Sequence, residues 1–192
     1  MSSWNKKLFN PKKWNILQYD QRGCGDSTPL GELRENTTMH LVEDIKKLLK
    51  HLGIKKVMLY GPSWGCTLAM AFALKYPTMV SGIVLQAVFF GTKGEEDYLN
   101  HGAALIYPEA QLELANAVPK NERRDLINAY YKRVMSKNRK VALKFAKQRR
   151  EYESVLYTFT PTSRKKKVSK RNPLSAARVS LHYAVNNYFL PD

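Results

Sequence analysis

The sequence predicts an α/β protein with a mostly parallel sheet. Three observations support this prediction. Short apolar segments alternate with helical patterns, a Gly-x-Ser-x-Gly motif lies between one such segment and a helix, and the second half of the chain is helical and basic. Alternating strands and helices imply right-handed crossovers, with helices covering both faces of a parallel sheet. The 192 residues are enough for a domain with a buried core.

The first half of the chain supplies the alternating elements. They are a strand over 14–19, a helix that follows an N-cap within 36–38 and ends at Gly53, a strand over 57–60, a helix over 66–76 and a strand over 83–90. The first strand is apolar and stops at the turn-forming Asp20. In the first helix, apolar residues recur at three- and four-residue steps until Gly53. Pro77 ends the second helix.

Beyond Gly91 the pattern is helical, with no clear strand. The segments 98–118 and 121–157 are compatible with helices, 161–173 is a Lys-rich hinge, and 174–189 is an aromatic-rich helix. This half resembles a helical insertion on the α/β half.

The positive charge is concentrated in one part of the chain. The formal net charge is +16, and residues 120–171 hold 18 basic and 4 acidic residues. This segment, with its run Arg164-Lys165-Lys166-Lys167 followed by Lys170 and Arg171, suggests one alternative function, binding to nucleic acid or another anionic surface. No nucleic-acid-binding motif accompanies the charge, and a solvated basic surface explains it more simply. We therefore expect no nucleic-acid partner.

Composition excludes several classes of protein. The chain is 44% hydrophobic without an apolar run long enough for a membrane span, and its N-terminal residues lack the apolar core of a signal peptide. Cys24 and Cys66 are too few for a disulfide framework, which favours a reducing, cytoplasmic location. We expect no membrane partner, no cofactor and no metal site.

The motif Gly61-x-Ser63-x-Gly65 lies directly between a predicted strand and a predicted helix. In a nucleophile elbow the serine occupies a strained turn, and glycines flank it because a Cβ there would collide with the strand or the helix. Ser63 is therefore predicted to be a catalytic nucleophile. The backbone N–H of Trp64 would then contribute to an oxyanion hole at a helix N-terminus. The alternative is an ordinary strand-to-helix turn.

Five blocks of sequence share the order and spacing of one known family. They are Tyr19-Asp20-Gln21-Arg22-Gly23-Cys24-Gly25-x-Ser27, Asn36-Thr37-Thr38, Leu41-Val42-Glu43-Asp44-Ile45, Leu52-Gly53-Ile54 and Gly61-x-Ser63-Trp64-Gly65-x-Thr67-Leu68-Ala69. These blocks resemble proline iminopeptidase (prolyl aminopeptidase), an α/β-hydrolase serine peptidase. Weaker likeness follows at Tyr152-Glu153 and over 177–186. The resemblance implies a partial α/β-hydrolase core over 1–90 and a helical, basic and incomplete cap over 91–192.

The resemblance also implies a reaction, the release of an N-terminal proline from a peptide by serine acyl transfer. Ser63 would attack the carbonyl, while a histidine oriented by a carboxylate takes its proton. Cap glutamates of the family hold the amino terminus of the substrate, and Glu153 matches one of them. The second falls on Ser180 here, so recognition of the amine is expected to be weaker.

Parts of the family pattern have no counterpart in this chain. The family's His-Gly-Gly-Pro-Gly oxyanion loop is not found before Asp20, and the triad acid and histidine of α/β-hydrolases lie on late strands after the cap. The four histidines present are expected to be surface or structural residues: His40, His51, His101 and His182. We therefore expect a truncated or split form that lacks the triad acid and histidine, is unstable alone, and pairs with a companion fragment supplying the missing strands.

Other substrates remain open within the same fold. An esterase would use the same nucleophile, whereas an epoxide hydrolase would carry Asp at the position of Ser63. Pro62 departs from the glycine usual in the family, and Cys66 is expected to be a small packing residue. Asp20 and Asp26 flank a loop near the motif, where capping of the turn is the expected role.

Overall fold

A computed structural model describes residues 8–157 and 172–190. Its helices and strands, in chain order, are α1 (Thr38–His51), β1 (Val57–Pro62), α2 (Trp64–Lys75), β2 (Val80–Gln86), α3 (Lys93–Asn100), α4 (Pro108–Asn116), α5 (Leu126–Val134), α6 (Arg139–Leu156) and α7 (Pro173–Val185). Short 3₁₀ turns join several of them. In these residues, no helix is long and apolar enough to cross a bilayer.

The α/β half is built around two parallel strands. β1 pairs with β2 from Val57 opposite Val80 to Pro62 opposite Gln86. α2 packs against both strands, and α1 packs against α2. The predicted helix between the N-cap at 36–38 and Gly53, the strand over 57–60 and the helix over 66–76 are confirmed, although α2 begins two residues earlier, at Trp64. Thr37 starts α1 by accepting a hydrogen bond from the N–H of His40.

Two strand predictions need correction. Residues 14–19 do not form a strand, and within the described residues no backbone hydrogen bond joins them to β1. A strand exists only where a neighbouring backbone pairs with it, and a cavity separates this segment from β1. The strand predicted over 83–90 lies instead at Val80–Gln86. It ends where its partner β1 enters the turn at Ser63, and Ala87 takes a positive φ of 48°.

The second half is helical, as predicted, but in shorter pieces. The segment 98–118 is divided because Pro108 begins α4, and 121–157 is divided because Asn138 caps the start of α6. The segment 174–189 forms α7, which ends at Val185, and a 3₁₀ turn. Most of the predicted hinge over 161–173 lies outside the described residues.

Buried side chains form two clusters, which we name the elbow cluster and the cap cluster. The elbow cluster contains Leu41, Val42, Ile45, Leu49, Leu68, Ala71, Phe72, Val179, Tyr183 and Tyr188. The cap cluster contains Leu114, Val118, Leu126, Ala129, Tyr130, Val134, Phe145, Ala146, Tyr152, Ala177 and Leu181. Helix α7 contributes to both clusters and so joins the two halves. The predicted division of the chain at residue 90 stays a prediction.

Candidate active site

Ser63 occupies a strained turn between β1 and α2. Its backbone has φ 53° and ψ −123°, a conformation that residues other than glycine rarely adopt. Its N–H donates to the carbonyl oxygen of Gln86 at 2.9 Å, and its own carbonyl accepts from the N–H of Cys66 at 2.7 Å. These two bonds hold the turn between the last residue of β2 and the first turn of α2. Strain of this kind persists only where surrounding contacts enforce it.

The glycines of the motif allow β1 and α2 to approach each other closely. A Cβ on Gly61 would lie 2.1 Å from the carbonyl oxygen of Gly65, far inside van der Waals contact. A Cβ on Gly65 would lie 3.1 Å from Cδ of Pro62. Gly61 is therefore required by the backbone itself, because the colliding atom cannot move without displacing the helix.

The hydroxyl of Ser63 is not used to cap α2. A serine at a helix N-cap normally accepts a hydrogen bond from the first turn, but here the side chain makes no such bond. In the described part of the chain, no backbone acceptor pairs with the N–H of Trp64. The hydroxyl of Ser63, which hydrogen-bonds with Tyr157, thus lies beside an N–H that has no backbone acceptor in the described residues, at the positive end of a helix dipole. An acyl-transfer nucleophile and its oxyanion donor need this arrangement.

Trp64 links the turn to the rest of the protein through its side chain. Its indole N–H donates to Oε1 of Gln21 at 3.2 Å, and its ring packs against the rings of Tyr183 and Tyr188 at 4.8 and 5.3 Å. The predicted loop after residue 19 is therefore attached directly to the turn, and α7 supplies one of the two tyrosines.

Arg22 attaches the same loop to α1. Its Nε and one terminal nitrogen donate to the two carboxylate oxygens of Asp44 at 2.5 and 2.8 Å, and the other terminal nitrogen donates to the carbonyl oxygen of Glu35. Asp20 caps the loop, since its side chain accepts from the N–H of Asp26 and its carbonyl from the hydroxyl of Ser27. The expected turn-capping role of Asp20 is confirmed.

Cys66 and Thr67 anchor the first turn of α2 to the sheet. Cys66 is completely buried, and its thiol donates to the carbonyl oxygen of Gly61 at 2.9 Å. The hydroxyl of Thr67 donates to the carbonyl oxygen of Phe89 at 2.6 Å. The packing role expected for Cys66 is confirmed.

Tyr157 lies next to the nucleophile, and the sequence offered no signal for it. Its side chain is largely exposed, but its hydroxyl is close enough to Ser63 to form a hydrogen bond. Partial burial raises the pKa of Tyr157, and the charge of Glu153 raises it further, whereas a hydrogen bond with Ser63 lowers it. Glu153 precedes Tyr157 by one helical turn, so it lies on the side of α6 that faces Ser63.

Glu153 belongs to a buried charge cluster, which we name the Arg149 cluster. Nε of Arg149 donates to Oε1 of Glu153 at 3.0 Å, and one terminal nitrogen donates to Oδ1 of Asn100 at 2.5 Å. Asn100 in turn donates to Oε2 of Glu96 at 2.9 Å, and the hydroxyl of Tyr188 donates to the other oxygen of Glu96. Burial alone would lower the pKa of Arg149, but the charges of Glu153 and Glu96 outweigh it and raise that pKa.

The Arg149 cluster carries one negative charge in excess, since two carboxylates surround one guanidinium. Arg149 is only 7% exposed, while the side chain of Glu153 is 37% exposed and engages the guanidinium through one oxygen. The excess charge is therefore accessible at Glu153. Ser180, the second position implied by the resemblance, is exposed and donates its hydroxyl to the carbonyl of Ala177.

The structure does not bring the histidines to the nucleophile. His40 bonds to the side chain of Thr37, and His182 bonds to the carbonyl oxygen of Asn36. Within 8–157 and 172–190, no histidine side chain hydrogen-bonds to Ser63. The lysine run over 164–167, with Lys170 and Arg171, lies outside the described residues.

Comparison with known proteins decides the family. The sequence profile of the alpha/beta hydrolase fold matches residues 2–174, which is most of the chain. This chain belongs to the alpha/beta hydrolase family. The predicted fold class, a partial α/β-hydrolase fold with a helical cap, is thereby confirmed.

The resemblance to proline iminopeptidases is also confirmed. The proline iminopeptidase of Arabidopsis thaliana is 39% identical over 97% of this chain and 50% of its own length. A probable proline iminopeptidase of Leptolyngbya boryana is 36% identical over 96% of this chain and 58% of its own. That of Neisseria gonorrhoeae is 38% identical over 95% of this chain and 59% of its own. The chain therefore spans little more than half the length of these relatives.

A solved structure, an alpha/beta hydrolase enzyme from a Medee basin deep-sea metagenome library, matches 87% of this chain and 52% of its own. The TM-score is 0.43 and the identity is 22%.

Proposed function

We propose that Ser63 is the nucleophile of a serine peptidase that releases N-terminal proline from peptides. The observation that carries this proposal is the strained backbone of Ser63, at φ 53°, between β1 and α2, where a Cβ on Gly61 would collide with the carbonyl oxygen of Gly65. The alpha/beta hydrolase family supports the nucleophile, and the names of the similar proteins support the substrate. The same turn would serve an esterase, so the experiment must separate the two reactions.

In the proposed reaction, the hydroxyl oxygen of Ser63 attacks the carbonyl carbon of the proline residue. The N–H of Trp64 donates to the oxyanion that forms, and the hydroxyl proton of Ser63 passes through the general base to the amine of the leaving peptide as its bond to the carbonyl carbon breaks. Water then hydrolyses the prolyl ester of Ser63, which releases proline and restores the hydroxyl. Glu153 binds the cationic amino terminus, because the excess negative charge of the Arg149 cluster is accessible there. The second position that the family resemblance assigns to amine recognition is Ser180, an exposed and uncharged residue of α7, so we expect the amine to be held more weakly than by two glutamates.

We further propose that the general base and its carboxylate partner come from outside residues 1–192. The histidines of this chain are engaged elsewhere or exposed, which supports this view. The protein then acts as a truncated or split form completed by a companion segment. An intact triad raises the reactivity of serine by several orders of magnitude, so its presence is easily measured.

Labelling with a fluorophosphonate tests the nucleophile and the split form together. The chain is incubated with the probe alone and with the part of the Arabidopsis thaliana relative that lies outside the matched residues. We expect Ser63 to be labelled only in the second sample, and S63A to remain unlabelled there. Labelling and turnover by residues 1–192 alone would contradict the split form. Absence of labelling in both samples would contradict the nucleophile.

Substrate comparison separates peptidase from esterase in the second sample, prepared without the probe. A prolyl anilide is compared with a short-chain ester that has no amino group. We expect faster turnover of the prolyl anilide, with E153Q raising KM for the anilide and leaving KM for the ester unchanged. A higher kcat/KM for the ester, or an equal effect of E153Q on both substrates, would favour an esterase.

A further inference from the structure

Glu96 is a buried carboxylate to which the proposed reaction gives no role. It lies on α3 and is 7% exposed. Its two oxygens accept hydrogen bonds from neutral donors, the side-chain amide of Asn100 at 2.9 Å and the hydroxyl of Tyr188. In the part of the chain that the structure describes, it forms no ion pair of its own. Burial of a carboxylate is costly unless a positive charge lies nearby, so that charge must act on Glu96 through a neighbour.

Arg149 supplies this positive charge across the side chain of Asn100. The amide oxygen of Asn100 accepts from the guanidinium at 2.5 Å, while its amide nitrogen donates to Glu96. The amide therefore turns its oxygen toward the cation and its nitrogen toward the anion. Burial acts to lower the pKa of Arg149, whereas the charges of Glu153 and Glu96 raise it. Glu96 and Arg149 thus interact electrostatically without direct contact.

Glu153 needs this second carboxylate if it is to attract a cation. The guanidinium of Arg149 lies 3.0 Å from one of its oxygens, so an isolated pair would be neutral and would attract an ammonium group only weakly. With Glu96 included, the three side chains carry one net negative charge. Glu96 and Arg149 are both 7% exposed, whereas the side chain of Glu153 is 37% exposed and presents this charge to solvent.

We propose that Glu96 determines the specificity of the Glu153 subsite for a cationic amine. By balancing the charge of Arg149, it leaves the carboxylate of Glu153 available to a protonated N-terminal amine. A ligand with a neutral, acylated N-terminus gains nothing from this charge. Glu96 is buried and acts through Arg149, so it is a positioning residue that does not touch the ligand. The inference rests on the proposed binding of the substrate amine at Glu153.

Two small ligands test the inference on the full chain. L-Prolinamide carries a protonated amine at about pH 6.5, whereas N-acetyl-L-prolinamide has the same ring and carboxamide without the charge. Dissociation constants for both ligands are measured by NMR titration of wild type, E96Q and D97N. E96Q removes the buried charge and keeps the size and shape of the side chain. D97N is the matched control, because Asp97 is the next residue of α3 and is exposed.

We expect wild type to bind L-prolinamide at least ~10-fold more tightly than the acetylated ligand, and E96Q to lose about 10-fold for L-prolinamide alone. D97N should stay within about 2-fold of wild type, because solvent screens its charge. Wild-type affinity of E96Q for L-prolinamide would overturn this inference and leave the amine subsite standing. Equal affinity of wild type for the two ligands, or no binding of either, would contradict the amine subsite itself and the inference with it.

A double variant separates the effect of charge from an effect on structure. E96Q leaves no buried charge unpaired, because Arg149 keeps Glu153 as its partner. E96Q/R149Q removes one negative and one positive charge together, so Glu153 again provides one net negative charge. We expect this variant to regain affinity for L-prolinamide to within about 3-fold of wild type. If Glu96 only supports the fold, the double variant binds as weakly as E96Q or more weakly, and the inference is overturned.

Discussion

The two halves of the molecule are stabilised in different ways. The cap cluster is closed: Tyr130, Val134 and Ala146 have no exposed surface, and three helices surround them. The α/β half has a well-packed interior at α1 and α2, but its strands are open, with Val84 of β2 43% exposed. Helices satisfy their backbone groups internally, whereas strands depend on neighbours. In the described residues, the helices of the second half therefore bury their side chains more completely than the two-stranded sheet does.

The halves also differ in how they hold the candidate site. The α/β half supplies Ser63 through backbone geometry, and the cap supplies Glu153 through the buried Arg149 cluster. Mutations should therefore act through steric collision in one half and through uncompensated charge in the other. Four predictions test this comparison.

The largest effect is expected at Gly61. In G61A the new Cβ meets the backbone of Gly65, so β1 and α2 must separate, and we expect a loss of about 3 kcal/mol or more in unfolding free energy. Urea denaturation measures it. Gly94 is the control, since a Cβ there meets nothing within 4 Å and G94A should be neutral or slightly stabilising. Similar stability of the two variants would contradict the close approach at the turn.

Arg149 should be nearly as sensitive. R149M leaves the carboxylates of Glu96 and Glu153 without their cation, and we expect a loss of about 3 kcal/mol, the lower end for a broken buried pair because Glu153 is partly exposed. Arg150 is its matched neighbour, less buried on the same helix, and R150M should change unfolding free energy by less than about 0.5 kcal/mol. Equal losses of unfolding free energy in R149M and R150M would show that the buried charge of Arg149 does not stabilise the second half of the chain.

A matched pair of valines compares the buried cap cluster with the partly exposed sheet. Val134 has no exposed surface in the cap cluster, whereas Val84 is half exposed on β2. We expect V134A to cost about 2 kcal/mol of unfolding free energy and V84A less than about 1 kcal/mol. Thermal and urea denaturation both report the difference. If V84A costs as much as V134A, the sheet is covered in solution.

The smallest effect is expected at Tyr130 in the cap cluster, and it depends on pH in the alkaline range. The hydroxyl of Tyr130 donates to the carbonyl oxygen of Leu114 at 2.9 Å, so Y130F should cost about 1 kcal/mol at pH 8. Burial raises the pKa of Tyr130 to about 12, although the charges of Arg149 and Arg133 lower it in part. Below pH 10 the stabilising contribution is complete, and it decreases as the pH rises through 12, because only the unfolded state ionises readily.

The stability difference between wild type and Y130F should therefore shrink by about 1 kcal/mol from pH 8 to pH 11. Urea denaturation at the two pH values measures it. A difference that stays constant would mean that the hydroxyl is solvated in the folded state.

Much of the α/β half was predictable because its signals are local. The apolar periodicity of α1 and the Gly-x-Ser-x-Gly motif each lie within a few residues, and both correspond to what the structure shows. The strand over 14–19 was wrong for the opposite reason. Its composition fits a strand, but strand formation depends on a neighbour that the residues themselves do not specify.

The residues of the candidate site also include some that were predictable from local sequence and some that were not. Ser63 and Trp64 were predictable from one motif, and their assigned roles as nucleophile and oxyanion donor stay predictions. Glu153 came from a family resemblance. Its partner Arg149 and the neighbouring Tyr157 were not predictable, because they approach the site from distant positions in the chain. Their only sequence signal is the four-residue spacing to Glu153 on a helix.

The sequence alone therefore determined the class of fold, the position of the strained serine and the basic character of the cap. These depend on local conformational preferences and composition, which act over a few residues. Only the tertiary structure decided that α7 joins the two buried clusters, that Glu153 forms an ion pair with Arg149, and that a cavity separates segment 14–21 from β1. The physical reason is that burial, charge pairing and strand pairing are properties of neighbours in space.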